Sequence, residues 1–145
     1  MLTFLFDSPV FRSPSTEENI FLAVAAKTEF SSKEDFCKAA IDNNLQKEID
    51  QLMRVTKSDP NPDQIHSYEN WTEEFKAELY FKPISPDDEA AKALENFYYM
   101  NPTNIVIEHG AIKELYEIYP SDWDCVYLFF EADGMYFFYH WSTTA

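Results

Sequence analysis

The groups most able to do chemistry in this chain of 145 residues are carboxylates: 26 Asp and Glu stand against 11 Lys and Arg, a formal charge of −15. A carboxylate can move a proton, ligate a hard cation or attract a basic partner, and spacing decides which. The acids are unevenly spread. Residues 1–57 hold nine acids and seven bases, whereas residues 58–145 hold seventeen acids and four bases. Asp59, Asp63, Glu69, Glu73, Glu74, Glu78, Asp87, Asp88, Glu89 and Glu95 form the densest run, with only Lys76, Lys82 and Lys92 among them. Tyr68 and Trp71 are interleaved with these acids, and Asp122-Trp123-Asp124 makes a smaller second group. Such a surface repels nucleic acid and anionic membrane, and it suits a cationic partner or a demand for solubility. Self-repulsion costs stability, so an imbalance this large is easiest to sustain where one of those two offsets it.

Other chemistry finds little support in the spacing. Asp59, Asn61 and Asp63 alternate like the start of an EF-hand loop, but Gln64 stands where the sharp turn needs Gly, and Asn70 where a bidentate Glu is needed. His66, His109 and His140 make no HxH or HExxH pattern. Glu108-His109 and Asp122-x-Asp124 each offer two ligands where a metal site needs more, so the histidines read as structural or surface residues and no metal or cofactor is expected. Gly110 and Gly134 are the only glycines, which excludes a Gly-rich phosphate loop. The serines fall at caps and loops, with no GxSxG. Cys37 and Cys125 form no CxxC pair and read as reduced thiols of a cytoplasmic protein, Cys125 as a buried and inert one. A carboxylate pair for glycoside hydrolysis carries no weight, because among so many acids some pair always falls at a workable distance. An enzyme is therefore not expected.

The length suits one domain, residues 1–145, with a sizeable core. Apolar residues make up 46% and aromatics 17%, which argues against disorder. The longest uncharged apolar run, Asn19 to Ala26, is too short to span a bilayer, and MLTFLFDSP is no signal peptide. Thr3 to Phe6 reads as a strand ended by Asp7-Ser8-Pro9. Ser15 and Glu18 have capping-box spacing, which predicts a helix over about 16–27. Ser31-Ser32-Lys33-Glu34 opens a second helix to about Val55, its apolar face marked by Phe36, Cys37, Ala40, Ile41, Leu45, Ile49, Leu52 and Met53. Ser58 to Asn70 reads as a loop. Residues 71–82 fit a strand by alternation, although Trp71, Phe75 and Leu79 would also align on a helix. Ser85-Pro86-Asp87-Asp88 starts a helix that buries Ala90, Ala91, Leu94, Phe97 and Tyr98. Residues 104–109 read as a strand, and 111–119 fit either a short helix or a strand.

The C-terminal run from Val126 to Trp141 has eight aromatic side chains in sixteen residues. Asp133-Gly134 at its centre, between aromatic and β-branched runs, signals a hairpin. Tyr127, Phe129 and Glu131 share one face of the first strand; Tyr136, Phe138 and His140 share a face of the second. A central hairpin covered by helices on one face and half-covered on the other accounts for this pattern. An exposed platform for bases does not, because no basic residue follows Lys113. The predicted class is α+β: an antiparallel sheet with a C-terminal hairpin, packed against helices mainly from the N-terminal half.

The profile as a whole resembles that of bacterial immunity proteins, which bind and neutralise the toxin domain of a colicin or of a contact-dependent growth inhibition system. The resemblance is one of type across the chain and rests on no shared motif. It implies a cytoplasmic binding protein whose partner is a cognate toxin domain, basic and a nuclease, with no direct contact to nucleic acid or membrane. Carboxylates would steer and specify while Tyr and Trp anchor. The partner-binding face expected on this reading is Asp59, Asp63, Tyr68, Glu69, Trp71, Glu73, Glu74, Glu78, Asp87, Asp88 and Glu89, joined by Asp122, Trp123 and Asp124. Rival readings are an acidic DNA mimic of the anti-restriction or anti-CRISPR type, an enzyme with an unrecognised carboxylate site, and a chaperone or adaptor module.

Overall fold

The computed structural model describes residues 3–13, 16–56, 62–92 and 112–143. Its strands are β1 (Thr3–Ser13), β2 (Thr16–Ala26), β3 (Lys82–Pro83), β4 (Ile112–Glu117), β5 (Cys125–Ala132) and β6 (Met135–Thr143). Helices α1 (Lys33–Thr56) and α2 (Pro62–Ala77) lie between β2 and β3 in the chain. All strand pairs are antiparallel, in the order β1-β2-β6-β5-β4-β3. The protein is therefore α+β, a sheet packed against helices.

The C-terminal hairpin forms as its sequence requires. Asp133 and Gly134 both take positive φ, 52° and 75°, the combination that matches a two-residue turn to the twist of its strands. The hairpin lies in the interior of the sheet, with β2 on one side and β4 on the other. Both of its faces are buried. Tyr127, Phe129, Tyr136 and Phe138 join Phe36, Cys37, Ala40 and Ile41 of α1 and Phe75 of α2 in one core. Leu128, Phe130, Phe137 and Tyr139 join Leu22, Val24, Leu115, Ala90 and Ala91 in a second core on the opposite face. The half-covered second face expected from sequence is thus fully covered at the hairpin's centre, where Leu128, Phe130 and Tyr139 are solvent-free. Each buried Phe contributes roughly 1.5–3 kcal/mol by leaving water.

Helix α1 runs from Lys33 to Thr56, and Phe36, Cys37, Ala40 and Ile41 of its expected apolar face are buried. Ser32 Oγ accepts the Asp35 amide at 3.2 Å, and the Ser31 hydroxyl donates to the Asp35 carboxylate. The helix expected at 16–27 is instead the strand β2. Phe21 to Ala25 are all buried, and alternate residues feed the two cores. A strand buried on both faces reads as an unbroken apolar run and shows no period of two. Asp7-Ser8-Pro9 does not end β1 either: the strand continues to Ser13, with Pro9 opposite Asn19. β1 is an edge strand, where a missing N–H is tolerated. Because β1 and β2 come from the N-terminus, strands are not confined to the second half of the chain.

From residue 62 the loop expected over 58–70 is overturned by α2, as is the strand expected over 71–82, of which only Lys82 is in a strand, Lys82–Pro83; residues 58–61 lie outside the described residues. Pro62 occupies the first helical position, where its lost N–H costs nothing, and Asp63 complements the helix dipole. The undecided segment 111–119 contributes strand β4. From Ser85 to Lys92 the chain makes turns: Ser85 Oγ accepts the Asp87 amide and Asp88 Oδ1 accepts the Ala90 amide. The rest of the helix expected there, with Leu94, Phe97 and Tyr98, and the strand expected at 104–109 lie outside the described residues.

Candidate functional site

α2 positions the acidic residues. Ile65, Tyr68, Trp71, Thr72 and Phe75 recur at helical spacing on the side facing α1 and the sheet, and Thr72 and Phe75 are buried. The same spacing turns Asp63, Glu69, Glu73 and Glu74 to solvent, with exposed Glu78 just past the helix end. The helix's one lysine, Lys76, is half-buried and reaches Asp42 of α1 at 2.9 Å and Glu73 at 2.7 Å. Its hydrogen bonds to Asp42 and Glu73 raise its pKa above the ordinary value. Lys76 therefore ties the two helices together and leaves the outer surface of α2 a ridge of carboxylates.

Two recesses border this ridge. One, with a volume of about 480 Å³, is lined by Glu48 of α1, by Gln64, Ser67, Tyr68 and Trp71 of α2, and by Tyr127 of β5. The other, about 250 Å³, has Glu74 and Glu78 at its rim and Trp71, Tyr80 and Tyr119 among its walls. Trp71 divides the two. Its Nε1 donates to Tyr119 Oη at 3.3 Å, and its ring meets Phe75 and Tyr119 edge-on at 5.4 and 5.6 Å. This aromatic packing holds the acidic helix at a fixed position over the sheet.

On the opposite face a third recess, about 520 Å³, brings Glu89 together with Asp122, Trp123, Val126 and Trp141. Trp123 is 68% exposed. Asp122 accepts the Trp123 amide at 2.7 Å and exchanges backbone hydrogen bonds with Cys125, so the tip before β5 is locally braced. The structure therefore divides the face expected from sequence. Asp63, Tyr68, Glu69, Trp71, Glu73, Glu74 and Glu78 gather on the helix side. Glu89 meets Asp122 and Trp123 on the other, with Asp87 and Asp88 exposed in the turn beside Glu89 and Asp124 half-buried before β5. Asp59 lies outside the described residues.

A polar thread escaped the sequence, buried at His140 and half-buried at Cys125 and Glu48. Cys125 Sγ lies 3.7 Å from His140 Nε2, and His140 Nδ1 lies 3.8 Å from Glu48 Oε1. Tyr127 stacks flat on the His140 ring, centroids 4.0 Å apart. Thiol, imidazole and carboxylate stand in the order of a nucleophile, base and orienting acid. Burial sets their protonation otherwise. It pushes the Cys125 thiol up to about 12, with the nearby acids adding to the effect, drives His140 down to about 3 and lifts Glu48 to about 7. At neutral pH the thread holds a thiol and a neutral imidazole, with no thiolate to attack a substrate. His140, read from sequence as a structural or surface residue, is buried; its alternation with Tyr136 and Phe138 was the available signal. The only signal for Glu48 was a carboxylate beside Ile49 at the edge of an apolar stripe.

Among the described residues no three His, Cys, Asp or Glu side chains are placed to hold a metal ion. None of the described helices is long and apolar enough to cross a membrane. No protein-family model, no curated protein and no solved structure matches this chain.

Proposed function

We propose that this protein is an immunity-type inhibitor that binds a basic toxin domain, foremost a nuclease, in the cytoplasm of the cell it protects. The observation that carries the reading is the division of α2 into two sides. Its Tyr68, Trp71 and Phe75 side anchors it over the sheet, and its Glu69, Glu73, Glu74 side stays exposed with Lys76 already engaged. A fixed array of carboxylates projects a negative field that accelerates encounter with a cationic surface and aligns it on arrival. The aromatic rims beside the ridge supply the flat, rigid side chains on which interface energy concentrates. The contact is assigned to the α2 side; the Glu89–Asp122–Trp123 group, across the sheet, stands outside it.

Co-expression tests the reading. The chain is produced together with the C-terminal domain of the large protein encoded immediately upstream, surviving cells are counted, and the purified pair is titrated at two salt concentrations. Survival with one-to-one binding that weakens as salt rises supports the proposal. Cell death together with no binding removes it. Binding of restriction or CRISPR effectors instead would move the chain to the DNA-mimic class.

A further inference from the structure

We infer that the recess between α1, α2 and β5 receives one organic cation, the guanidinium or ammonium tip of an Arg or Lys side chain presented by the partner. The inference rests on the function proposed above for the source of that side chain, but the recess stands on its own geometry. Three rings line it, from Tyr68, Trp71 and Tyr127, together with the neutral hydrogen-bonding groups of Gln64 and Ser67. Among its described lining residues Glu48 is the one carboxylic acid, and there is no Lys or Arg. The ion-pairing partner that the described residues offer Glu48 is His140 Nδ1, at 3.8 Å. His140 is 4% exposed, and burial holds it neutral. Among the described residues Glu48 is thus an acid set beside aromatic rings with no charged partner.

A guanidinium or ammonium group would complete the set. It would pair with the Glu48 carboxylate and lie against ring faces, whose quadrupoles attract cations most strongly away from bulk water. A guanidinium fits better than an ammonium, because its plane stacks on a ring while its N–H groups reach a carboxylate and neutral acceptors. The acidic ridge beside the recess raises the local concentration of any such cation. A neutral chain of the same shape gains neither the ion pair nor the ring attraction.

The test uses the full chain at fixed ionic strength, with n-butylguanidinium as the probe and N-butylurea as its neutral isostere. Amide and indole chemical shifts are followed by NMR. The expected result is saturable binding of butylguanidinium, with a dissociation constant on the order of 1 mM for so small a ligand, and shifts centred on Gln64, Ser67, Tyr68 and Trp71. Butylurea should bind at least tenfold more weakly. Glu48→Gln should weaken the probe at least tenfold and Tyr68→Ala severalfold, while Glu114→Gln on β4 should leave it unchanged. Equal binding of the two probes, or shifts that spread along α2 without saturating, would overturn the inference. So would an unchanged affinity in Glu48→Gln; if that variant fails to fold, the probe pair and Tyr68→Ala decide alone. Failure here with salt-sensitive binding of the toxin domain intact removes the recess and leaves the proposed function standing. Probe binding with no toxin recognised has the reverse meaning.

Discussion

Replacing Glu48 by Gln should make the protein more stable at alkaline pH than at acid pH, relative to wild type, and the size of that change follows from where Glu48 sits. Burial lifts its carboxyl from the ordinary 4.5 to about 7. Below pH 4.5 the group is protonated in both folded and unfolded chains and contributes no pH dependence. Between pH 4.5 and 7 the unfolded chain releases the proton while the folded chain keeps it, so wild-type stability falls as pH rises, and it levels off above 7. At about 1.4 kcal/mol per pH unit, the ceiling is about 3 kcal/mol. The side chain is 32% exposed, and water reaching it cuts the effect to about 1–2 kcal/mol. Gln has the same shape and no proton to lose, so any packing difference it introduces does not change with pH. Urea unfolding of both proteins between pH 4.5 and 8 gives the difference directly. A gap between variant and wild type that stays constant across that range would refute the assignment of Glu48 as a desolvated carboxylate.

His140 works in the opposite direction. Its folded value lies at about 3 against an ordinary 6.5, so its contribution is intact above 6.5 and is lost as pH falls toward 3; the unfolding free energy of His140→Gln should fall less steeply over that window than that of wild type. The Cys125 thiol, pushed up to about 12, should react with iodoacetamide at pH 8 at least about a hundredfold more slowly in the native protein than in urea, followed by mass spectrometry. Phe36 is solvent-free and meets Phe30, Phe129 and Tyr136 with ring centroids 5.5 to 6.0 Å away. Phe36→Ala should cost about 3–5 kcal/mol in chemical denaturation, whereas Trp123→Ala, at a 68% exposed position, should change stability little.

The elements legible from sequence are those whose determinants are local. The Asp133-Gly134 turn and the alternating rings beside it specify a hairpin without reference to anything else. The stripe from Phe36 to Met53 does the same for α1. β2 was hidden because its pattern reflects what surrounds it. Flanked by β1 and β6 and buried on both faces, Phe21 to Ala25 carries no alternation, and the capping-box spacing of Ser15 and Glu18 pointed to a helix that the sheet overrides. α2 was hidden because its inward stripe is partly polar: Thr72 and Tyr68 sit where an apolar side chain would have marked the period, and Pro62 resembled a loop residue although it occupies a first turn. The acids of the candidate site were visible as composition. Their division between two sides of the sheet was not, since it depends on which residues flank the cores. The approach of Glu48 to His140 brings α1 to the last strand, and no local pattern encodes it.

On the proposed function, the carboxylate ridge of α2 captures a basic partner. That capture is tested most directly by measuring, in stopped flow, the rate of association with the upstream-encoded toxin domain as salt is varied, for wild type and for the Glu69→Lys, Glu74→Lys, Glu78→Lys triple variant. All three residues are exposed, so the variant should keep its fold by circular dichroism. Wild-type association should be fast and should slow steeply with salt. The variant should associate at least tenfold more slowly at low salt, with a nearly flat salt dependence. A folded triple variant with the wild-type rate and the wild-type salt dependence would contradict it.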